Sequence, residues 1–479
     1  MKIWINKGDY SAPSYDFMDA IVFNMLDDNP KSNLKTNFEE FWRRFSAKEL
    51  EPIYEDLLVL AASVYATDKR VPRGGVPGCK TYDNWTRKLE LCVPVINKEQ
   101  WMNVKDKLEA ALSFLSGDAW TITFRKTEKR YRNVEDGKKY KEIKNGFDGV
   151  SLFSGGLDSF SGAIRLLESH RNICFVGFME YKQLNNRIIE LFQLLKNIYT
   201  RSNIELIVFS TNPKVPNNIN DELSSIYTEN TSRSRSFLFL AGAIAVASMI
   251  GNSVPVYIPE NGFIGINLPL TPSRVGSCST RTTHVYFLRL FNDILESLKI
   301  HHKVENFYAL KTKGEIVEEV KHTEAFLKGA GRTISCSHPT QGRGATVPIN
   351  CGYCFPCLIR RAALHKVGYS FDYYLDQFNP DYKLSSQFLM NKRFSNSDTG
   401  RVRDLKATLL ALHRYIKNDD KDYYTRQMIS LGGFNTDDIE QFSRVYFQSM
   451  EELKEMIKSQ AYKNDLDLLN FIGLNIRDE

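Results

Sequence analysis

Between residues 149 and 310, five short and almost wholly apolar runs (150–153, 173–178, 204–209, 254–258 and 304–310) alternate with helical stretches near 159–168, 184–198 and 235–249. Apolar runs of that length without polar alternation belong to strands covered on both faces, and a strand-helix-strand rhythm builds a parallel sheet. The pattern predicts an α/β core whose ligands sit beyond the C-terminal ends of the strands.

The 479 residues leave room for more than this core, since a domain takes ~100–200 residues. Residues 1–146 mix a helical stretch at 37–65, a turn at Val71-Pro72-Arg73-Gly74-Gly75-Val76-Pro77-Gly78 and alternating strands at 88–93 and 120–124. They read as an α+β module ending in a charged hairpin that turns at Asp136-Gly137. After residue 366 the chain turns helical, most clearly at 406–415 and 450–458.

Composition excludes some classes. The longest apolar run, 237–250, is short of the ~20 residues of a membrane span and reads as a buried helix. The first nine residues reach charged and turn residues before an apolar signal segment can form, so a cytoplasmic protein with reduced cysteines is expected. Of a net charge of +6, all but one unit comes from residues 125–144. A surface-wide nucleic-acid binder is therefore not expected, although Tyr131 and Tyr140 could serve that patch as base stackers.

Two segments carry chemistry. Directly after the first parallel strand comes Ser154-Gly155-Gly156-Leu157-Asp158-Ser159, followed at once by a helix. Two glycines let successive N–H groups and a helix N-terminus converge on a polyphosphate, with hydroxyls from Ser154 and Ser159. An ordinary turn capped by Asp158 is the plainer alternative. The second segment pairs Cys336 with Cys351-Gly352-Tyr353-Cys354-Phe355-Pro356-Cys357. Two-residue spacers suit four thiolates closing on one Zn²⁺; an iron–sulfur cluster also takes four cysteines, but the usual continuation of its run is absent.

The 154–159 loop resembles the SGGxDS signature of the PP-loop ATP pyrophosphatases. With the cysteine cluster, residues 149–366 resemble the 7-cyano-7-deazaguanine synthase (QueC) family within them. The resemblance implies a HUP-like core with a C-terminal structural zinc site, and ATP and Mg²⁺ as cofactors. It implies nucleotide binding by Ser154, Gly155, Gly156, Leu157, Asp158 and Ser159. Arg235, opening a stretch like the family's GRN segment, and Lys313, in a segment like its K-x-E-I, join Asp158 and Ser159 as expected catalytic residues, and Cys336, Cys351, Cys354 and Cys357 as metal ligands.

The family's acidic, cysteine-containing substrate segment is replaced here by a basic, hydroxyl-rich one. Glu260, Asn261, Arg274, Thr280, Arg281, Thr282 and His284 are the expected substrate contacts, and they suit a carboxylate or phosphate. The N-terminal module and helical tail are foreign to compact synthases and resemble enlarged members of bacterial antiphage-defence operons, of the Qat type. An enzyme adenylating a 7-carboxy-7-deazaguanine-type acid and passing it to an amine of an operon-encoded partner protein is expected. Transfer to ammonia and a nucleotide sensor without turnover are the competing readings, and a tRNA-thiolating enzyme is a fourth.

Overall fold

The computed structural model describes residues 1–26, 30–46, 49–73, 85–131, 140–180, 182–216, 227–229, 233–271, 281–337, 348–369, 399–418, 421–462 and 466–474. The N-terminal part runs β1 (Lys2–Gly8), β2 (Ile21–Leu26), β3 (Leu34–Thr36), α1 (Glu39–Arg43), α2 (Pro52–Arg70), β4 (Lys88–Val95), α3 (Lys98–Asn103), α4 (Lys105–Ser116) and β5 (Ala119–Lys126). Four of these strands form one sheet in the order β2-β1-β4-β5, and every pairing in it is parallel. The expected α+β module is therefore an α/β unit.

The alternation that suggested otherwise has a different cause. In β5, Trp120, Ile122 and Phe124 face the helices while Ala119, Thr121 and Thr123 are exposed, so one face is open at this edge strand, whereas β1 and β2 are covered on both. The turn at Asp136-Gly137 and the stretch from Gly74 to Gly78 lie outside the described residues.

The central part follows as β6 (Gly149–Leu152), α5 (Leu157–Glu168), β7 (Ile173–Phe178), α6 (Lys182–Ile198), β8 (Ile204–Phe209), β9 (Thr211–Pro213), α7 (Arg235–Ile250), β10 (Val256–Tyr257), α8 (Gly262–Ile266), α9 (Val285–Ser297), β11 (Val304–Glu305), α10 (Lys313–Val320), α11 (Glu324–Gly329) and α12 (Phe355–Lys366). The parallel sheet expected from the apolar runs is present, in the order β11-β10-β6-β7-β8. Every residue of β6 and β7 is buried. Its last strand is shorter than the apolar run, because the Asn306 side chain accepts from Tyr308 N–H at 3.0 Å and donates to the Glu260 carbonyl at 2.9 Å, turning the chain away. From β6 the strand order grows outward in both directions, so the topological switch point, where ligands of such sheets bind, lies between β6 and β10.

The two sheets share one core. A single hydrophobic cluster runs from Ile3 and Ile5 through α2 and α7 to Val256 and Val304, and β3 pairs with β9 across the junction. Helix α7, the long apolar run of the sequence, is buried within this core, and no helix among the described residues is long and apolar enough to cross a membrane.

A buried ionic knot fastens the same junction. Arg87 donates to Asp68 Oδ1 and to Asp118 Oδ2, each at 2.6 Å, with all three side chains fully buried. Asp68 in turn accepts from Ser234 N–H and Oγ–H at 2.9 Å, which ties α2 to the start of α7. Removing Arg87 would leave Asp68 buried without its cation and Asp118 with Arg73 alone, 2.7 Å away. Arg87→Ala is therefore expected to lower unfolding stability by about 3–5 kcal/mol in urea titration. Burial raises the Asp118 carboxyl, but Arg87 and Arg73 outweigh it and hold it below its ordinary value. Its stabilising share is therefore present above the ordinary carboxylate range and lost as pH falls through its lowered value.

The C-terminal part is helical, as expected: α13 (Thr399–Lys417), α14 (Lys421–Leu431), α15 (Thr436–Tyr462) and α16 (Leu466–Ile472). It packs on α8 and α12 in a second hydrophobic cluster that also takes in Cys351, Cys354 and Cys357.

Candidate functional site

Strand β6 ends at the switch point, and the 154–159 loop carries the chain from it into α5. Gly155 adopts φ +76°, a conformation that favours glycine, and a Cβ there would sit tightly at 3.1 Å from the Ile188 side chain. Gly156 is the N-cap of α5, with Ser154 exposed at the mouth of the turn. The Ser154 and Ser159 hydroxyls lie 3.1 Å apart, Ser159 also donates to the Gly156 carbonyl at 3.1 Å, and Ser154 Oγ accepts from Gly156 N–H at 3.3 Å. Two hydroxyls and the first N–H groups of a helix thus collect at one point, an arrangement suited to an anion.

Beneath the loop lies a buried charge cluster. Asp158, in the first turn of α5, sits 3.2 Å from the Lys313 ammonium, an ion pair in which both side chains are nearly inaccessible. The contact is not an aligned hydrogen bond, because Asp158 Oδ1 has no hydrogen-bond donor. Its other oxygen accepts from the Asn261 amide at 2.6 Å, and the same amide donates to Glu260 at 2.9 Å. Asn261 is held by its own role as N-cap of α8, accepting from Ile264 N–H at 3.1 Å. Burial would raise the Asp158 carboxyl, but Lys313 and hydrogen bonds from Glu260 and Asn261 draw it below its ordinary value. Burial and the Asp158 charge push Glu260 well above its own. Four of the expected residues, from three distant segments, therefore meet here.

The cysteines meet as well. The sulfurs of Cys336, Cys351, Cys354 and Cys357 all lie within 4.8 Å of one another, with Cys336 to Cys354 at 3.8 Å and Cys351 to Cys357 at 3.9 Å. A tetrahedron with Zn–S bonds of ~2.3 Å has edges of about 3.8 Å, so the spacing fits a single ion; a multi-iron cluster needs its cysteines farther apart. Hydrogen bonds from the other three thiols draw Cys351 toward its thiolate form. The cluster is fastened to the loop: Ile334 N–H donates to the Gly155 carbonyl at 2.9 Å, and Ser335 Oγ accepts from Leu157 N–H at 3.4 Å. Asn350, next to Cys351, accepts from Ser335 N–H at 2.9 Å.

Comparison with known proteins adds little to this geometry. No family model matches the chain, and no curated protein does. A solved ketoreductase domain from the bacillaene assembly line aligns over 69% of this chain and 85% of its own at 12% identity, with a TM-score of 0.20. A superposition that loose carries no argument about fold or activity.

Other expected residues lie apart from the cluster. Arg235 forms an ion pair of 2.5 Å with Glu180, which also holds Lys69 of α2 at 2.8 Å. Arg281 donates to the Phe114 carbonyl at 3.0 Å and covers the Phe114 ring. His284 caps α9 by accepting from Tyr286 N–H and packs between Phe114 and Phe434; burial, with Arg281 and Arg289 nearby, pushes it down to about 3, so its imidazole is neutral. Thr282 is half-buried between them, while Arg274 and Thr280 lie outside the described residues. Tyr131 is buried with its hydroxyl 3.0 Å from Thr36, and Tyr140 donates to Glu39 at 3.1 Å, so both proposed base stackers are engaged in packing.

Sequence reasoning missed Ser335 and Asn350, which lock the cysteine cluster to the loop. It also missed Thr312, whose Thr-Lys-Gly-Glu spacing is a legible capping-box signature.

Proposed function

We propose that the chain is a PP-loop ATP pyrophosphatase that adenylates a carboxylate of the 7-carboxy-7-deazaguanine type and transfers the acyl group to an amine of a partner protein, in bacterial antiphage defence. The observation that carries the reading is the convergence of Lys313 and Asp158 under a Ser/Gly loop that follows β6, at the switch point of the strand order. Phosphoryl and nucleotidyl chemistry places developing charge on phosphate oxygens, so it needs fixed donors and cations more than a strong base. In this reading the carboxylate oxygen attacks the α-phosphorus and the bond to the β-phosphate oxygen breaks. Pyrophosphate leaves into the hydroxyls and N–H groups of residues 154–159, and the amine then displaces AMP from the acyl carbon.

Lys313 would meet the phosphate oxygens with its charge. Asp158 and Glu260 are the hard oxygen donors that would hold a Mg²⁺ ion, in place of the Lys313 ammonium that now sits 3.2 Å from Asp158 Oδ1. Bound there, Mg²⁺ would neutralise polyphosphate charge. Zinc on the four thiolates would have no open position and would serve structure.

Incubation with ATP and 7-carboxy-7-deazaguanine is expected to yield AMP and pyrophosphate, and intact mass spectrometry of operon-encoded partners should find an adduct equal to the acid minus water. ADP as product would reject the reading; free nitrile or amide beside unmodified proteins would make ammonia the acceptor.

A further inference from the structure

The C-terminal helices lie outside the segment that resembles any enzyme, yet one of them reaches the charge cluster. On α15, Arg444 and Glu452 are eight residues apart and so share a face. Arg444 donates to Glu315 at 2.6 Å and to the Leu310 carbonyl at 2.5 Å. Two turns on, the buried Glu452 carboxylate accepts from the Thr312 hydroxyl at 2.6 Å and from Gly314 N–H at 3.2 Å. It also pairs at 3.2 Å with Lys366, at the end of the helix that carries Cys357. Thr312 and Gly314 are the two neighbours of Lys313. A Cβ at Gly314 would lie 2.5 Å from Glu452 Oε1, so the carboxylate has backbone-close access only because residue 314 is glycine.

We infer that Glu452 is a positioning residue: through Thr312 and Gly314 it fixes the start of α10 so that Lys313 faces Asp158, which makes the C-terminal helices part of the reactive unit. This rests on the reading of Lys313 as the cation that meets the nucleotide. The physical argument is that Lys313 is the first residue of α10, where a helix frays unless its leading N–H groups are satisfied. Thr312 and Glu315 satisfy each other's N–H as a capping box, and Glu452 satisfies that of Gly314 while adding negative charge at the positive end of the helix dipole. Without that carboxylate the first turn can open, and the long lysine side chain would leave a buried pair for solvent.

The test uses the full-length chain with Glu452→Ala, Glu452→Gln, Lys313→Ala and the double variant Glu452→Ala/Lys313→Ala. Lysine acylation followed by peptide mass spectrometry reads how often Lys313 leaves Asp158. Wild type should label slowly at Lys313, and Glu452→Ala roughly tenfold faster, with Glu452→Gln between them. Pyrophosphate release should fall about tenfold in kcat for Glu452→Ala with a smaller change in KM for ATP, and the double variant should be no slower than Lys313→Ala alone. Wild-type labelling in folded Glu452→Ala, or in Glu452→Gln should the alanine variant not fold, overturns the inference, as do losses that add in the double variant. If wild type releases no pyrophosphate at all, the nucleotide reading falls, and the labelling comparison still decides whether Glu452 holds Lys313.

Discussion

Replacing Asp158 and Ser159 together by alanine is expected to lower ATP-dependent pyrophosphate release by at least ~10³-fold, since a single preorganised donor at a developing anion is worth ~10²–10³. Each residue contributes differently. Ser159 supplies a hydroxyl 3.1 Å from that of Ser154, and its loss removes a donor without disturbing the fold. Asp158 holds Lys313, and its loss leaves an ammonium buried without a counter-charge at a cost of about 3–5 kcal/mol. Asp158→Asn therefore belongs in the same experiment, because it keeps the shape and removes only the charge. AMP and pyrophosphate are quantified by chromatography beside a thermal melt. A folded double variant that turns over at the wild-type rate would sink the assignment of the loop.

Cys354→Ser is expected to cost both metal and stability. With one of four thiolates gone, the ion loses its closed tetrahedron, and binding free energy of a structural zinc is folding free energy, on the order of 10 kcal/mol in small zinc domains. In this larger fold the hydrophobic cluster around the cysteines retains part of the structure, so a destabilisation of about 3–5 kcal/mol is expected. ATP affinity should fall with it, because Ile334 and Ser335, next to Cys336, hold the loop at Gly155 and Leu157. Elemental analysis of the wild type should give one zinc per chain; iron, or a folded metal-free chain, would reject this site as a zinc centre. Cys92 and Cys174 should be dispensable. Burial pushes their thiols up to about 11 and about 12, so both stay protonated within hydrophobic cores away from the cluster.

Sequence alone determined the features encoded within a few residues. The apolar runs became the central parallel strands, the Gly155-Gly156 pair became the turn into α5, and the cysteine spacing became a cluster of tetrahedral dimensions, because backbone conformation and short spacers are local properties. Tertiary structure decided which groups those features meet. Nothing near Lys313 in the chain says that its ammonium faces Asp158, and nothing near Glu452 says that its carboxylate lies against Gly314. His284 and Arg281 read as polar substrate contacts, yet α4 and the segment before α15 close over them and make them packing groups. The strands at 88–93 and 120–124 alternate as if antiparallel, and only their pairing reveals a parallel sheet, open on one face at its edge strand β5. The physical reason is common to all of these. A side chain's charge state and partners depend on strand order and helix packing across long separations, where no local pattern records which surfaces are brought together.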